Sequence, residues 1–209
     1  MKSEKVYIIG AGGHGQVVAE AVMKMGITPA GFLDDDNALF GKKIIGIPVI
    51  GRIEICSNLD GKFVVAIGDN LTRKRIVDRI KLPVEKYFTV IHPSAVIGKN
   101  VKIGAGAMII GGAVINTGTR IGNHTIINTS SSVDHHNAVG DFVHIAPGVH
   151  TGGNVKIGKG AFIGIGTSVI PGIEIGEWAI VGAGAVVVKD LPGETLSVGV
   201  PAHIVRRLK

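Results

Sequence analysis

Large rings and disulfides are almost missing from this chain of 209 residues, which has one Trp, two Tyr, six Phe and a single Cys. With aromatics at 4%, its core must be thin and regular, built from closely spaced Ile, Val, Ala and Gly. Cys56 alone cannot close an internal disulfide, which fits a reducing cytoplasm. The 32 Gly keep no three-residue period and Pro is scarce at 8, which excludes collagen. Charged residues make up only 18% against 45% hydrophobic, which excludes disorder. Despite a mean hydropathy of +0.40, every apolar run is broken well short of the roughly 18 residues of a membrane helix, so no membrane partner is expected. Met1-Lys2-Ser3-Glu4-Lys5 runs straight into Val-Tyr-Ile-Ile and carries no apolar leader block, so a cytoplasmic location is expected. The formal charge of +6 favours anionic ligands. The basic residues are scattered and aromatics for stacking are few, which speaks against nucleic acid.

What the chain does have is a repeat. Stepping by six from Ile97 gives Ile103, Ile109, Ile115, Ile121, Ile127, Val133, Val139 and Ile145. The series continues through Thr151, Ile157, Ile163, Val169, Ile175, Val181 and Val187, with fifteen of the sixteen anchors Ile or Val. Gly often follows the anchor, as at Gly98, Gly104, Gly122 and Gly140. A period of six is neither helical nor a simple alternation; it is a short strand plus a turn with the branched side chain inward. Three such units close one triangular coil, so residues eighteen apart stack. This predicts a hexapeptide parallel β-helix of about five coils. The family with this repeat is left-handed, an exception to the right-handed crossover rule.

Residues 1–92 read instead as a small α/β, Rossmann-like domain, with the β-helix domain and its tail at 93–209. A strand over 5–9 precedes Gly10-Ala11-Gly12-Gly13-His14-Gly15, after which Val17, Val18, Ala21, Val22 and Met25 recur at helical spacing. Strands are predicted over 30–33 and 63–67, the second followed by Gly68-Asp69-Asn70 and a helix over 71–81. Gly10, Gly12 and Gly15 satisfy G-x-G-x-x-G, and Asp34–Asp36 follows about twenty residues on. Such a turn binds anions through backbone N–H groups at a helix N-terminus. Ninety residues supply only one half of a dinucleotide fold, so the expected ligand is a nucleotide diphosphate and not NAD.

Five of the eight His fall between residues 124 and 150: His124, His135, His136, His144 and His150. None occupies the anchor column. His135 stacks, eighteen residues on, against Gly153, about one strand spacing or 4.8 Å away. An imidazole beside a bare backbone suits a proton acceptor next to an acyl carbonyl held by an N–H. A zinc site is the weaker reading: the cluster lacks cysteine, and adjacent His135 and His136 would leave a strand on opposite faces. His124 and His150 read as surface or interface residues. No G-x-S-x-G elbow or cysteine nucleophile accompanies the rod, so direct attack by the substrate is the economical mechanism.

The chain resembles the bacterial hexapeptide-repeat sugar acetyltransferases, close to the UDP-4-amino-sugar N-acetyltransferases of bacillosamine synthesis and the sialic acid O-acetyltransferase-like group. The carriers are Ile8-Ile9-Gly10-Ala11-Gly12-Gly13-His14-Gly15, Leu33-Asp34-Asp35, Ala66-Ile67-Gly68-Asp69-Asn70 and Ile91-His92-Pro93-Ser94-Ala95. In the rod they are Val133-Asp134-His135-His136, Gly140-Asp141-Phe142-Val143-His144-Ile145, Gly152-Gly153-Asn154-Val155 and Gly199-Val200-Pro201-Ala202.

The resemblance implies an acetyl-CoA-dependent N-acetyltransferase, a homotrimer with sites between neighbouring rods, that acts without metal on a UDP-type amino sugar for surface glycan synthesis. It makes His135, with His136 beside it, the catalytic position. Gly12, Gly13, His14, Asp34, Asp35 and Gly68 become nucleotide-sugar contacts. His144, Gly153, Ile165, Gly182 and Pro201 become acetyl-CoA contacts. One residue departs from the pattern: relatives carry Glu or Asp directly after the base, where this chain has His136. A neighbouring chain's carboxylate or a neutral hydrogen bond could take that role. O-acetylation of a sialic-acid-like sugar and a non-catalytic trimeric nucleotide-binding scaffold are the alternative functions.

Overall fold

The computed structural model describes residues 5–208; the first four residues of the stretch read for a leader block, and Lys209, lie outside them. The N-terminal domain begins with β1 (Val6–Ile9), α1 (Gly13–Lys24) and β2 (Gly31–Leu33). It continues with β3 (Lys43–Ile44), β4 (Ile47–Gly51), β5 (Lys62–Val65) and α2 (Asn70–Ile80). The sheet order is β3-β4-β2-β1-β5, parallel except for the β3–β4 hairpin. The hairpin was not anticipated from the sequence, and β5 ends two residues earlier than expected. Val6, Ile8, Val64 and the α1 residues Val18 and Val22 are fully buried, which explains why the strands are near-continuous apolar runs.

The rod matches the six-residue register as a left-handed β-helix of three parallel sheets. The first sheet has six strands from Val96–Ile97 to Val186–Val187, and the second has five from Lys102–Ile103 to Glu174–Ile175. The third has eight, beginning with Val90–Ile91 and ending in the antiparallel pair Thr195–Val198 and His203–Arg207. Val90–Ile91, which the sequence reading put in the 1–92 domain, pairs with Met108–Ile109 as the lowest strand of the rod. Anchors from Ile109 to Val187 are buried, whereas Ile97 is 37% exposed because no coil of the first sheet lies beneath it.

The anchor that breaks the apolar rule has a reason in the fold. Thr151 is buried, and its hydroxyl accepts a hydrogen bond from Asn137 Nδ2 at 3.1 Å. Asn137, also buried, donates to the carbonyls of Asp134 (2.7 Å) and Gly152 (3.0 Å). From the coil below, Thr119 Oγ1 donates to the Asp134 carbonyl at 2.8 Å and accepts from Asn137 N. These bonds fix the turn that carries His135 and His136.

The two domains are locked through a row of carbonyls. Residues 124, 142 and 160 stack eighteen apart on the edge between the second and third sheets. Arg73 Nε donates to the His124 carbonyl and Arg73 Nη2 to the Phe142 carbonyl, both at 2.8 Å; Asn70 Nδ2 reaches the Gly160 carbonyl at 3.1 Å. Arg73 is fully buried and also donates to the Ile67 carbonyl (2.7 Å) and Asn70 Oδ1 (2.8 Å). Met in its place would leave several carbonyls facing a side chain that cannot donate. Arg73→Met is expected to cost about 3–5 kcal/mol, a fall in Tm of roughly 10 °C for a chain of this length. A melt within a degree of wild type would show that the row does not hold the domains.

Candidate active site

The nucleotide-type turn forms as the glycine pattern requires. Gly10 has φ +100°, and a Cβ at Gly15 would run into the Gly10 carbonyl, so both positions need a bare backbone. Gly12 and Gly13 are exposed with open space where a Cβ would lie, and no side chain caps α1. The start of the helix therefore presents free N–H groups at the carboxyl ends of β1 and β5, where the sheet order reverses. The carboxylates are less free than the sequence suggests. Asp34 accepts from Ala11 N (2.8 Å) and Asp36 N (2.9 Å), tying β2 to the glycine turn. Asp35 accepts from Ile53 N at 3.2 Å and pairs with Arg79 at 2.7 Å; these contacts hold its carboxyl below the usual range against a burial that works the other way.

His14 and His144 meet where this domain faces the third sheet, with ring centroids 6.1 Å apart. His144 Nδ1 lies 3.0 Å from the Gly68 carbonyl, which can only accept, so Nδ1 carries the proton and Nε2 accepts from Asn128 Nδ2 at 3.1 Å. Both ring nitrogens of His144 thus have partners within the chain. Burial pushes His144 down to about 4, opposed by the Gly68 bond and reinforced by the Arg73 charge. Burial, then His144 and Arg73, likewise lower His14 to about 4, and its Nε2 is buried with no partner among the described residues. His124, expected as a surface or interface residue, lies at the interface between the two domains: it is 4% exposed, edge-on to Tyr87 at 4.5 Å and stacked on Phe142 at 5.1 Å. A cavity of about 800 Å³ opens beside this seam, lined in part by Gly68, Asn70, His144, Phe162, Trp178 and Ile180. Arg73, and the contact role of Asn70, escaped the sequence reading because α2 looks like a polar surface helix; Trp178, in a turn of the rod, also went unread. The signal was the three-residue spacing of Asn70, Arg73 and Ile76, the face of α2 that is buried.

The remaining candidates divide between two edges of the rod. His135 lies on the edge between the first and second sheets, over Gly153: a Cβ there would fall 2.6 Å from His135 Nε2. His136 lies beside it, not on the opposite face, since the pair sits in a turn and His136 has φ +57°. Ile165, 60% exposed, and Gly182 lie on the other edge of the first sheet, one coil apart, with His144 on the adjoining strand. A Cβ at Gly182 would fall 2.7 Å from Val198 Cγ1. Pro201 is exposed in the turn of the terminal hairpin. One chain therefore does not bring His135 and Gly153 together with His144, Ile165 and Gly182.

Fold and site together define a nucleotide-type α/β domain clamped onto a hexapeptide-repeat β-helix. Residues 5–80 match the PglD N-terminal domain, and residues 88–129 and 154–189 match the bacterial transferase hexapeptide repeat. The chain is similar to perosamine N-acetyltransferase from Caulobacter crescentus, solved as an asparagine-for-histidine mutant in complex with CoA and GDP-perosamine. The two are 37% identical with a TM-score of 0.89, and the match covers 98% of each chain. The acetyltransferase domain of PglB from Neisseria gonorrhoeae is 34% identical with a TM-score of 0.90, covering 97% of this chain and 100% of that one. UDP-N-acetylbacillosamine N-acetyltransferase of Bacillus subtilis is 39% identical over 110 residues, so the chain spans about half the length of that curated relative. The chain belongs to the PglD-type acetyltransferases of the hexapeptide-repeat class.

Proposed function

We propose that the protein transfers an acetyl group from acetyl-CoA to the amino group of a nucleotide-linked amino-deoxy sugar, in a cytoplasmic step of surface glycan synthesis. The observation that carries this reading is the seat of His135 against Gly153. It supports reading His135 as a proton acceptor beside a buried backbone position, with the thioester carbonyl held by the Gly153 N–H. The sugar nitrogen attacks the thioester carbon and forms the C–N bond, its proton passing to His135 Nε2. The C–S bond then breaks, and the thiolate sulfur takes that proton to leave as CoA thiol. Positioning and the oxyanion donor lower the barrier together with the base.

The phosphates belong at the α1 N-terminus beside Gly12, Gly13 and His14, with Asp34, Asp35 and Gly68 bordering the nucleotide sugar. Acetyl-CoA belongs along the edge of His144, Ile165 and Gly182, with Pro201 near its far end. To contact the acetyl group, His144 Nε2 has to give up its bond to Asn128. Because base and acetyl-CoA edge lie apart in one chain, the working unit is an assembly in which one copy's His135 edge faces another's His144 edge, as a homotrimer of rods allows. The outer column of the first sheet supports this contact. It reads Val96, Val114, Ser132, His150, Ser168 and Val186 and holds no Lys, Arg, Asp or Glu, unlike the second sheet's Lys102, Arg120, Lys156 and Glu174.

The test is thiol release from acetyl-CoA with UDP- and GDP-linked 4-amino sugars, free amino sugars and a free sialic-acid-like sugar. Release with a nucleotide-linked amine, and an amide product, is the expected result. Release with the free sugar acid alone would replace the reading by O-acetylation. Release with none would leave a nucleotide-binding scaffold.

A further inference from the structure

We infer that His136 is the positioning partner of the His135 base, a neutral imidazole working where a carboxylate would otherwise orient the ring. The inference rests on the acetyl-transfer reading above. The two Nδ1 atoms lie 3.1 Å apart with the ring planes at 76°, a geometry for one hydrogen bond between them. Both rings are seated on glycines of adjacent coils. His135 lies over Gly153, and a Cβ at Gly118 would fall 2.8 Å from His136 Cδ2. His136 takes a left-handed backbone, with φ +57°, in the turn that carries both rings.

Among the described residues Asp134 makes no hydrogen bond to the imidazole, although the two charges are close enough to interact. Its Oδ1 accepts from the His135 backbone N–H at 2.8 Å and from Asn116 Nδ2 at 2.9 Å, and these bonds hold its carboxyl below the usual range. The coil below brings Thr117 and Gly118 to this turn, and the coil above brings Gly153 and Asn154. Within one copy, Asp134 and His136 are thus the titratable groups that face His135.

The line between two Nδ1 atoms holds one proton. For His135 Nε2 to be bare and accept the amine proton, His135 Nδ1 must carry the hydrogen and donate it to His136 Nδ1; His136 then carries its own hydrogen on Nε2. When Nε2 takes the substrate proton, the Nδ1–H···Nδ1 bond becomes charge-assisted and stabilises the imidazolium until the thiolate recovers the proton.

Three variants test the pairing: His136→Gly and His136→Asn, which tolerate the positive φ, and His136→Glu. Rates of thiol release are read against pH with the sugar found above. His136→Gly is expected to lower kcat about 10–100-fold, the scale seen when a residue orienting an imidazole is lost, with little change in KM. In His136→Asn the side-chain oxygen accepts from Nδ1 and restores most of the rate. In His136→Glu the acid limb of the kcat/KM profile moves up by about one pH unit or more. Wild-type kcat in His136→Gly with an unmoved profile in His136→Glu would overturn the pairing while leaving acetyl transfer intact, provided His135→Ala is inactive. Imidazole 15N shifts read the tautomers without turnover. The pairing requires Nδ1–H on His135 and Nε2–H on His136, and the opposite pattern would overturn it.

Discussion

His135→Ala is expected to lower kcat for acetyl transfer by about 10²–10⁴-fold, the scale of removing a general base. The ring is exposed in the single chain, and among the described residues its only ring bond is to His136, also exposed, so the melting temperature should stay near wild type. Loss of rate without loss of fold is therefore the expected pair of results. KM for acetyl-CoA should change little, because Ile165 and Gly182 lie on the other edge of the first sheet and the substitution leaves the Gly153 backbone N–H in place. A variant that turns over at a near wild-type rate would remove His135 as the base and return the choice of catalyst to the His14–His144 seam.

Acid should undo the fold through three other histidines. His14, His124 and His144 are each held neutral by burial, with values near 4 against an ordinary 6.5. Above 6.5 both folded and unfolded chains keep these rings neutral, and they add no pH dependence. Between 6.5 and 4 the unfolded chain takes up protons that the folded chain refuses, so stability falls as pH falls. Three rings give a slope approaching roughly 4 kcal/mol per pH unit in that window. Below about 4 the folded chain is protonated too and the loss levels off. Denaturant melts at pH 7.5, 6.0 and 5.0 measure the slope, and His124→Asn, which accommodates the φ of +54°, should reduce it by about one proton. Equal stability at pH 7.5 and 5.0 would contradict the neutral assignment. All three rings sit where the N-terminal domain meets the rod, so separation of the domains should be the first event.

The stacking of His135 on Gly153 was legible because the β-helix repeats every eighteen residues: position in the sequence becomes position in space with little left to decide. The glycine turn was legible for a similar reason, since the φ of Gly10 and the close approach at Gly15 are local demands. Asp34 shows where this stops. Its place twenty residues after the glycines suggested a ligand carboxylate, yet its oxygens are engaged by the Ala11 and Asp36 amides. His124 shows the same limit, because a turn residue of the rod reads as exposed until another domain covers it.

By itself the sequence determined the rod, its register, the α/β character of the first ninety residues and the column that sets an imidazole over a glycine. All of these follow from short-range periodicity and backbone sterics, which each repeat restates. Only the tertiary structure decided which rod face is covered, and it chose the third, where Met108 and Ile126 pack with Val18, Val22 and Val64 of the N-terminal domain. There Arg73 and Asn70 of a polar helix find the unpaired carbonyls of stacked turns, and His14 and His144 lose their water. That choice depends on apolar packing and on long-range hydrogen-bond complementarity between two segments of unrelated period, whose partners a one-dimensional pattern does not name.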